Sequence, residues 1–295
     1  MMTICQRELR ALFRGLWGWI YIAGMCLAFG IAASYYSFYG GSVSIPYILT
    51  FGEYAIIPLI PCLCAAVGSR DRRDGADAWL RTLPISTAAT VGGKYLALLC
   101  MMALPLGLLC LLPVLFSLYG ATVDMVASYV AIGGFFLLCA ALAAVCLFLS
   151  SLTGRWIVAC VAGATALLLL FFLPLFGVLI PTAGWVSLLL QLFVFWVAAV
   201  GGWLYTRRRL VGIVTAAVLT VASVVSFFVW PDTYVGLVYS LTALLSPFTS
   251  FEQAMMYGLL DLNTLLLLLS MILLFLFCTG AVLERRRLPE GGDRA

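Results

Sequence analysis

Long apolar stretches separated by short polar segments dominate this chain. A helix needs about 20 apolar residues to cross the roughly 30 Å hydrocarbon core of a bilayer. Backbone groups in hydrocarbon must pair internally, and no stretch alternates with the period of a barrel strand, so the pattern predicts transmembrane helices. The eight predicted spans are 15–39, 53–68, 95–118, 125–150, 156–180, 185–205, 210–230 and 262–283. The second is the shortest and is expected to extend outward past Phe51.

The basic residues follow the same pattern, because all sixteen fall in five patches and two apolar stretches separate each patch from the next. By the positive-inside rule the patches are cytoplasmic. The sequence therefore predicts an all-α, multi-pass membrane protein with eight spans and both chain ends inside. The patches are Arg7, Arg10 and Arg14; Arg70, Arg72, Arg73, Arg81 and Lys94; Arg155; Arg207, Arg208 and Arg209; and Arg285, Arg286, Arg287 and Arg294.

Composition supports a membrane protein, since 65% of the residues are hydrophobic and only 9% are charged, against about 25% charged in soluble domains. The excess of basic over acidic residues then indicates the orientation of the chain in the membrane and its contact with anionic lipid of the inner leaflet. A nucleic-acid partner needs a continuous basic face, which scattered loops do not supply.

Ionisable residues are expected only outside the spans or at their ends, and the chain has no His. Intramembrane charges mark proton relays and ion-coupling sites, so their expected absence argues against an ion-coupled secondary transporter. Without imidazole, a histidine-based metalloprotease or a Ser/His pair is also excluded. Glu53 and Asp124 fall at outer span ends, where a carboxylate reaches water; a substrate-gating role is the alternative.

Nine of the ten cysteines fall inside predicted spans and the tenth, Cys5, lies in the cytoplasmic head, so no disulfide framework is indicated. The run Cys62-Leu63-Cys64, together with two Met-Met pairs, suggests a path for a soft metal such as Cu(I). Ordinary packing is favoured instead, because Cys and Met are common core residues and positions i and i+2 do not share a helix face. No metal or other cofactor is therefore expected on this chain.

The cytoplasmic head, residues 1–14, is predicted to be an amphipathic helix lying in the inner interface. An ordinary basic segment before a first span is the alternative. The predicted apolar face comprises Cys5, Leu9, Leu12, Phe13 and Leu16.

The longest cytoplasmic loop, residues 69–94, is predicted to carry a short helix over 75–83 that Pro84 ends, followed by a cap at Ser86 or Thr87. An exposed apolar face between charged residues is typical of a protein contact. Attachment of the loop to the membrane surface is the alternative. The predicted contact set is Asp71, Arg72, Arg73, Asp74, Asp77, Trp79, Leu80, Leu83 and Pro84.

Three segments carry a family resemblance: "RDRRDGADAWLRTLPIS" with "GGKYLALL", "FLSSLTGRWIVA", and the block 245–287. Together they make the chain similar to the ABC-2 type membrane subunits of ATP-binding-cassette exporters, in particular the gliding-motility-type branch. Two features differ from the family pattern. Ala76 and Ala78 stand where Thr and Glu are usual, and an extra hairpin, 185–230, is present.

The resemblance implies a single permease domain over 1–295, located in the bacterial plasma membrane, that forms an export channel with a second permease subunit, identical or different. It implies that the loop helix docks on a separate ATPase, present in two copies, which holds the ATP and Mg²⁺. The residues agree that this chain is not itself the enzyme, because its one lysine, Lys94, is followed by Tyr95 and lacks the phosphate-cradling P-loop pattern. A secondary transporter and a scaffold or sensor that moves no substrate are the alternatives.

The segment 231–261 is predicted to form two short helices on the outer side, broken at Pro247, ahead of the last span and the tail 284–295. By the resemblance these helices gate substrate release, and the predicted gate residues are Leu241, Leu245, Pro247, Phe251 and Met255. Aromatic-rich spans suit a hydrophobic or amphipathic cargo, and the predicted transport path includes Glu53, Phe171, Phe172 and Phe176.

Overall fold

The computed structural model consists of helices throughout the part of the chain that it describes. The described residues are 1–39, 45–70, 86–118, 123–179, 184–189, 191–192, 196, 220, 223, 227, 234–256 and 261–285. The helices are α1 (Met2–Arg14), α2 (Leu16–Tyr39), α3 (Ile45–Gly68), α4 (Thr87–Leu109), α5 (Leu112–Leu118), α6 (Met125–Leu152), α7 (Trp156–Leu179), α8 (Leu237–Leu245), α9 (Pro247–Met256) and α10 (Leu262–Arg285).

Six segments among the described residues are long and apolar enough to cross a membrane, which makes this a multi-pass helical membrane protein. They correspond to six of the eight predicted spans, with α4 and α5 counted as one segment across a short break. The other two predicted spans, 185–205 and 210–230, lie mostly outside the described residues. The six segments are Leu16–Tyr36, Ile45–Gly68, Thr87–Leu118, Met125–Leu152, Trp156–Leu179 and Leu262–Arg285.

Two helices begin before the spans predicted for them, and for the second span this confirms the predicted outward extension past Phe51. The span expected from position 53 begins at Ile45, and the span expected from position 95 begins at Thr87, where Ser86 accepts a hydrogen bond from the Ala89 N–H as predicted for the cap. Glu53 and Lys94 thus lie about two turns inside their helices. The expectation that no charged residue lies well inside a span is wrong, because each was taken as a boundary although the residues before it continue the helix.

The chain divides into two compact units, Met1–Leu170 with Ser250–Ala295, and Phe171–Thr249. In the first unit α6 is the central helix, and every residue over 138–147 is buried. Helices α3, α4 and α10 pack directly against α6, and α2 packs on α3 and α4. Four alanines in the buried run, Ala140, Ala141, Ala143 and Ala144, let neighbouring backbones approach closely, as is usual between membrane helices.

The N-terminal helix α1 packs on the start of α4. A Cβ on Gly93 would stand only 2.9 Å from the Cβ of Ile4, so α1 packs this closely on α4 because Gly93 has no side chain. The amphipathic helix is confirmed, but its buried face differs from the predicted one. Phe13 and Leu16 are exposed, whereas Glu8 is buried and forms an ion pair with Arg7. The position of α1 in the membrane plane stays a prediction.

The second unit contains the end of α7, all of α8 and the first residues of α9. A Cβ on Gly177 would stand 2.2 Å from Oγ1 of Thr242, so α7 and α8 meet closely there. The ring of Phe171 packs edge-on against Phe248, with centroids 5.3 Å apart. Helix α8 ends at Leu245 and α9 begins at Pro247, which confirms the predicted pair of short helices and the break between them.

Candidate functional site

Glu53 is the most unusual residue of the first unit. It lies inside α3 with no exposed surface, and neither carboxyl oxygen has a hydrogen-bond partner among the residues that the structure describes. The prediction of a solvated carboxylate at a span end is therefore wrong for Glu53. Asp124 does match it: the residue is exposed and caps α6, its Oδ1 accepting from the N–H groups of Val126 and Ala127 at 3.1 and 3.2 Å.

Three phenyl rings from different helices pack together next to α3. Phe29 of α2 and Phe251 of α9 each pack edge-on against Phe135 of α6, with centroids 5.9 Å apart in both pairs. Two of these rings lie beside Gly52, where a Cβ would stand 2.6 Å from Cε1 of Phe29 and 3.1 Å from Cζ of Phe135. The missing side chain at Gly52 thus lets the aromatic cluster pack on α3 at the position before Glu53.

A second carboxyl approaches the first from α9. Glu252 is close enough to Glu53 for the two to interact electrostatically, and Cys139 of α6 interacts with Glu53 in the same way. Glu252 is half-buried, and this burial raises the pKa of its carboxyl. The hydroxyl of Thr264 in α10 donates to the carbonyl of Ser250 in α9 at 3.1 Å, which links the two helices.

We call this group the Glu53 site; its members are Phe29, Glu53, Phe135, Cys139, Phe251 and Glu252. A buried carboxyl that lacks a donor can take up and release a proton or hold a cationic group. The described part of the chain contains no group of three or more metal-binding side chains.

Thiols and phenols form a second polar region along α3, α4 and α6. The thiol of Cys64 donates to the Ala143 carbonyl at 3.7 Å, and the Tyr95 hydroxyl donates to the Ala140 carbonyl at 3.0 Å. The thiol of Cys62 meets that of Cys160 of α7 instead. Cys62 and Cys64 thus contact different helices, as expected for positions i and i+2.

The predicted gate residues divide between the two units. Phe251 and Met255 are buried in the first unit, Phe251 within the Glu53 site. Leu241 and Leu245 lie on α8 in the second unit, where 51% and 59% of their surface is exposed. Pro247 opens α9, a position where its missing N–H costs nothing.

The predicted path residues also divide. Glu53 belongs to the first unit, whereas the three phenylalanines, Phe171, Phe172 and Phe176, belong to the second. Phe172 and Phe176 are about half exposed, and Phe171 packs on Phe172 and Phe248. All nine residues of the predicted contact set in the loop lie within 71–85, outside the described residues.

The sequence did not indicate that Glu252 approaches Glu53. Glu252 and Glu53 are some two hundred positions apart in the chain. The one available signal was an acidic residue within each of two otherwise apolar segments.

Comparison of the chain with protein-family models, with curated proteins and with solved structures finds no match.

Proposed function

We propose that this chain is the membrane-spanning subunit of an ATP-binding-cassette exporter, moving a hydrophobic or amphipathic molecule outward by alternating access. ATP is hydrolysed on a separate subunit, which docks on the segment 71–85, and a second permease subunit completes the channel. The chain supplies no chemistry of its own and acts through movement of its helices.

The observation that carries this proposal is the pair α8 and α9, placed between the fifth described span and the last one. The family resemblance leads to such a pair at this place, and a simple helical bundle does not need it. Phe251 and Met255 of α9 are buried in the first unit, and Glu53 and Glu252 approach each other beside them. A short helix that covers a buried carboxyl on the predicted outer side is suited to a gate.

Two further features support the proposal. The amphipathic helix α1 packs against the two-glycine start of α4, directly after the proposed docking segment. Movement at the segment 71–85 therefore acts on α1 and α4 together. The predicted topology places this segment and α1 on the cytoplasmic side, where an ATPase can reach them.

Co-purification tests the proposal. The tagged chain is purified in mild detergent from the cells that encode it and is probed for a co-purifying ATPase, and Trp79→Ala is compared with Trp185→Ala, an exposed tryptophan predicted on the opposite side. Loss of a central aromatic contact costs at least about 2 kcal/mol, or roughly thirtyfold in affinity. We expect Trp79→Ala to insert normally and to lose the ATPase, and Trp185→Ala to retain it. Unchanged association and transport in both Trp79→Ala and Leu83→Ala would refute the docking assignment.

A second function, ion-coupled secondary transport, is favoured by one observation, the buried carboxyl of Glu53 inside a span. The two functions differ in their energy source. In proteoliposomes, uptake driven by a proton or sodium gradient without any ATPase would support the secondary transporter, whereas transport that requires the ATPase and ATP supports the exporter.

A further inference from the structure

Helices α3 and α7 make a close contact that brings two thiols together. A Cβ on Gly163 of α7 would stand 3.0 Å from the Cβ of Pro61 of α3. Cys62 follows Pro61 directly, and Cys160 lies about one helical turn before Gly163. The two sulfur atoms are 3.1 Å apart. The thiols thus face each other where the backbones of the two helices approach closely.

Both residues are free cysteines in this structure. An S–S bond is about 2.0 Å long, so a shift of about 1 Å would bring the sulfurs to bonding distance. Both side chains are partly exposed, whereas Cys64 and Cys146, a second pair of thiols that also contact each other, are buried. A small oxidant therefore reaches the first pair more easily than the second.

We propose that Cys62 and Cys160 form a reversible disulfide under peroxide stress, fastening the inner half of α3 to α7. One thiol reduces hydrogen peroxide, giving a sulfenic acid and a water molecule. The second thiol attacks the sulfenic sulfur, which forms the S–S bond and releases a second water. Two thiols are thereby oxidised by two electrons in total and one peroxide is reduced. A dithiol reductant reverses the bond by exchange.

The place of this bond gives it a regulatory meaning. Helix α3 contains Pro58 and Pro61, each of which removes one backbone hydrogen bond and permits bending. Beyond Cys62 the helix ends at Gly68 and leads into the segment 71–85. A bond at Cys62 therefore fixes the part of α3 between the prolines and the proposed docking segment. This consequence rests on the proposed function, whereas formation of the bond does not.

Thiol mapping of the whole chain tests the bond itself. The protein in lipid nanodiscs is treated with hydrogen peroxide, denatured and alkylated, and its peptides are analysed by mass spectrometry without reduction. We expect two of the ten cysteines to lose alkylation, a linked peptide pair containing positions 62 and 160, and recovery after dithiothreitol. Cys62→Ser and Cys160→Ser are each expected to abolish the effect. Cys64→Ser and Cys146→Ser are matched controls that should retain it.

Three results would overturn the site: no loss of alkylation, a loss that persists in Cys62→Ser, or a linked pair at other positions. The regulatory part of the proposal is tested on the complex with the ATPase. Peroxide is expected to stop transport by the wild-type complex and to leave transport by the Cys160→Ser complex unchanged. Transport that continues with the linked pair present would refute regulation. Peptide mapping does not depend on ATPase association, so the disulfide site and the proposed function can each be refuted without the other.

Discussion

Gly68 of α3 lies directly against Ser150 of α6: a Cβ on Gly68 would stand 2.2 Å from the Ser150 Oγ and 2.7 Å from its Cβ. Gly68→Ala therefore inserts a methyl group into an occupied space. Overpacking of this kind costs about 1–3 kcal/mol. We expect the variant to unfold at lower denaturant concentration in detergent, measured by circular dichroism.

A second substitution at the same contact should restore the stability that Gly68→Ala loses. Ser150→Gly removes both atoms that the new methyl group meets, so Gly68→Ala with Ser150→Gly should be more stable than the two single changes predict together. Gly133→Ala in α6 is the matched control, since nothing lies within 4 Å of its Cβ position. Strict additivity of the two changes would show that the helices do not meet here.

Replacement of Glu53 by Met is predicted to stabilise the protein. The buried carboxyl has no hydrogen-bond partner among the described residues, and leaving such a group unsatisfied costs about 1–3 kcal/mol. An apolar side chain of similar length removes that cost. We expect a higher melting temperature and loss of transport, whereas Glu284→Met, at an exposed position, should change neither. A lower melting temperature for Glu53→Met would mean that the carboxyl is held by a group elsewhere in the chain.

Glu252 is predicted to make stability fall as pH rises. Burial raises the pKa of its carboxyl in the folded state, whereas the unfolded chain titrates near about 4.3. Below that value both states are neutral, and no penalty exists. As pH rises through the folded pKa, the folded state loses stability relative to the unfolded state, which binds fewer protons. The melting temperature of Glu252→Gln should therefore vary less with pH between about pH 4 and pH 8 than that of the wild type. The same dependence on pH in both proteins would contradict this account.

The two gate helices are predicted to tolerate charge differently. Met255 is buried beside the Glu53 site, and a buried unpaired carboxylate is strongly unfavourable, so Met255→Asp should lower both stability and transport. Leu241 is about half exposed, so Leu241→Asp should leave the fold intact and reduce transport only through the gate. ATPase association should persist in both variants. Its loss in Leu241→Asp, or full transport there, would show that α8 is not part of an exit gate.

Local signals predicted most of the described helices. Six of the eight spans predicted from apolar run lengths match described helices. The cap of α4, predicted at Ser86 or Thr87, is Ser86, and Pro247 marks the predicted break between α8 and α9. Each depends on neighbouring residues alone. The predicted loop helix and the hairpin 185–230 stay predictions.

The environment of Glu53 was predicted wrongly because it depends on distant residues. Its burial depends on helices that pack around α3, such as α2 and α6, and its neighbour Glu252 comes from α9. The pairing of Cys62 with Cys160 is of the same kind. Hydropathy and spacing along the chain carry no information about which residues meet across the bundle.

The position of α6 has a consequence for biogenesis. This helix has neighbours on several sides, yet the ribosome makes α10, which covers one of them, long after α6 has left it. During that interval the uncovered face of α6 must be held by lipid or by the insertion machinery. Assembly of the first unit therefore waits for α10. Chains truncated before Leu262 should insert into the membrane without completing the packing around α6, and membrane proteases should degrade them faster than the whole protein.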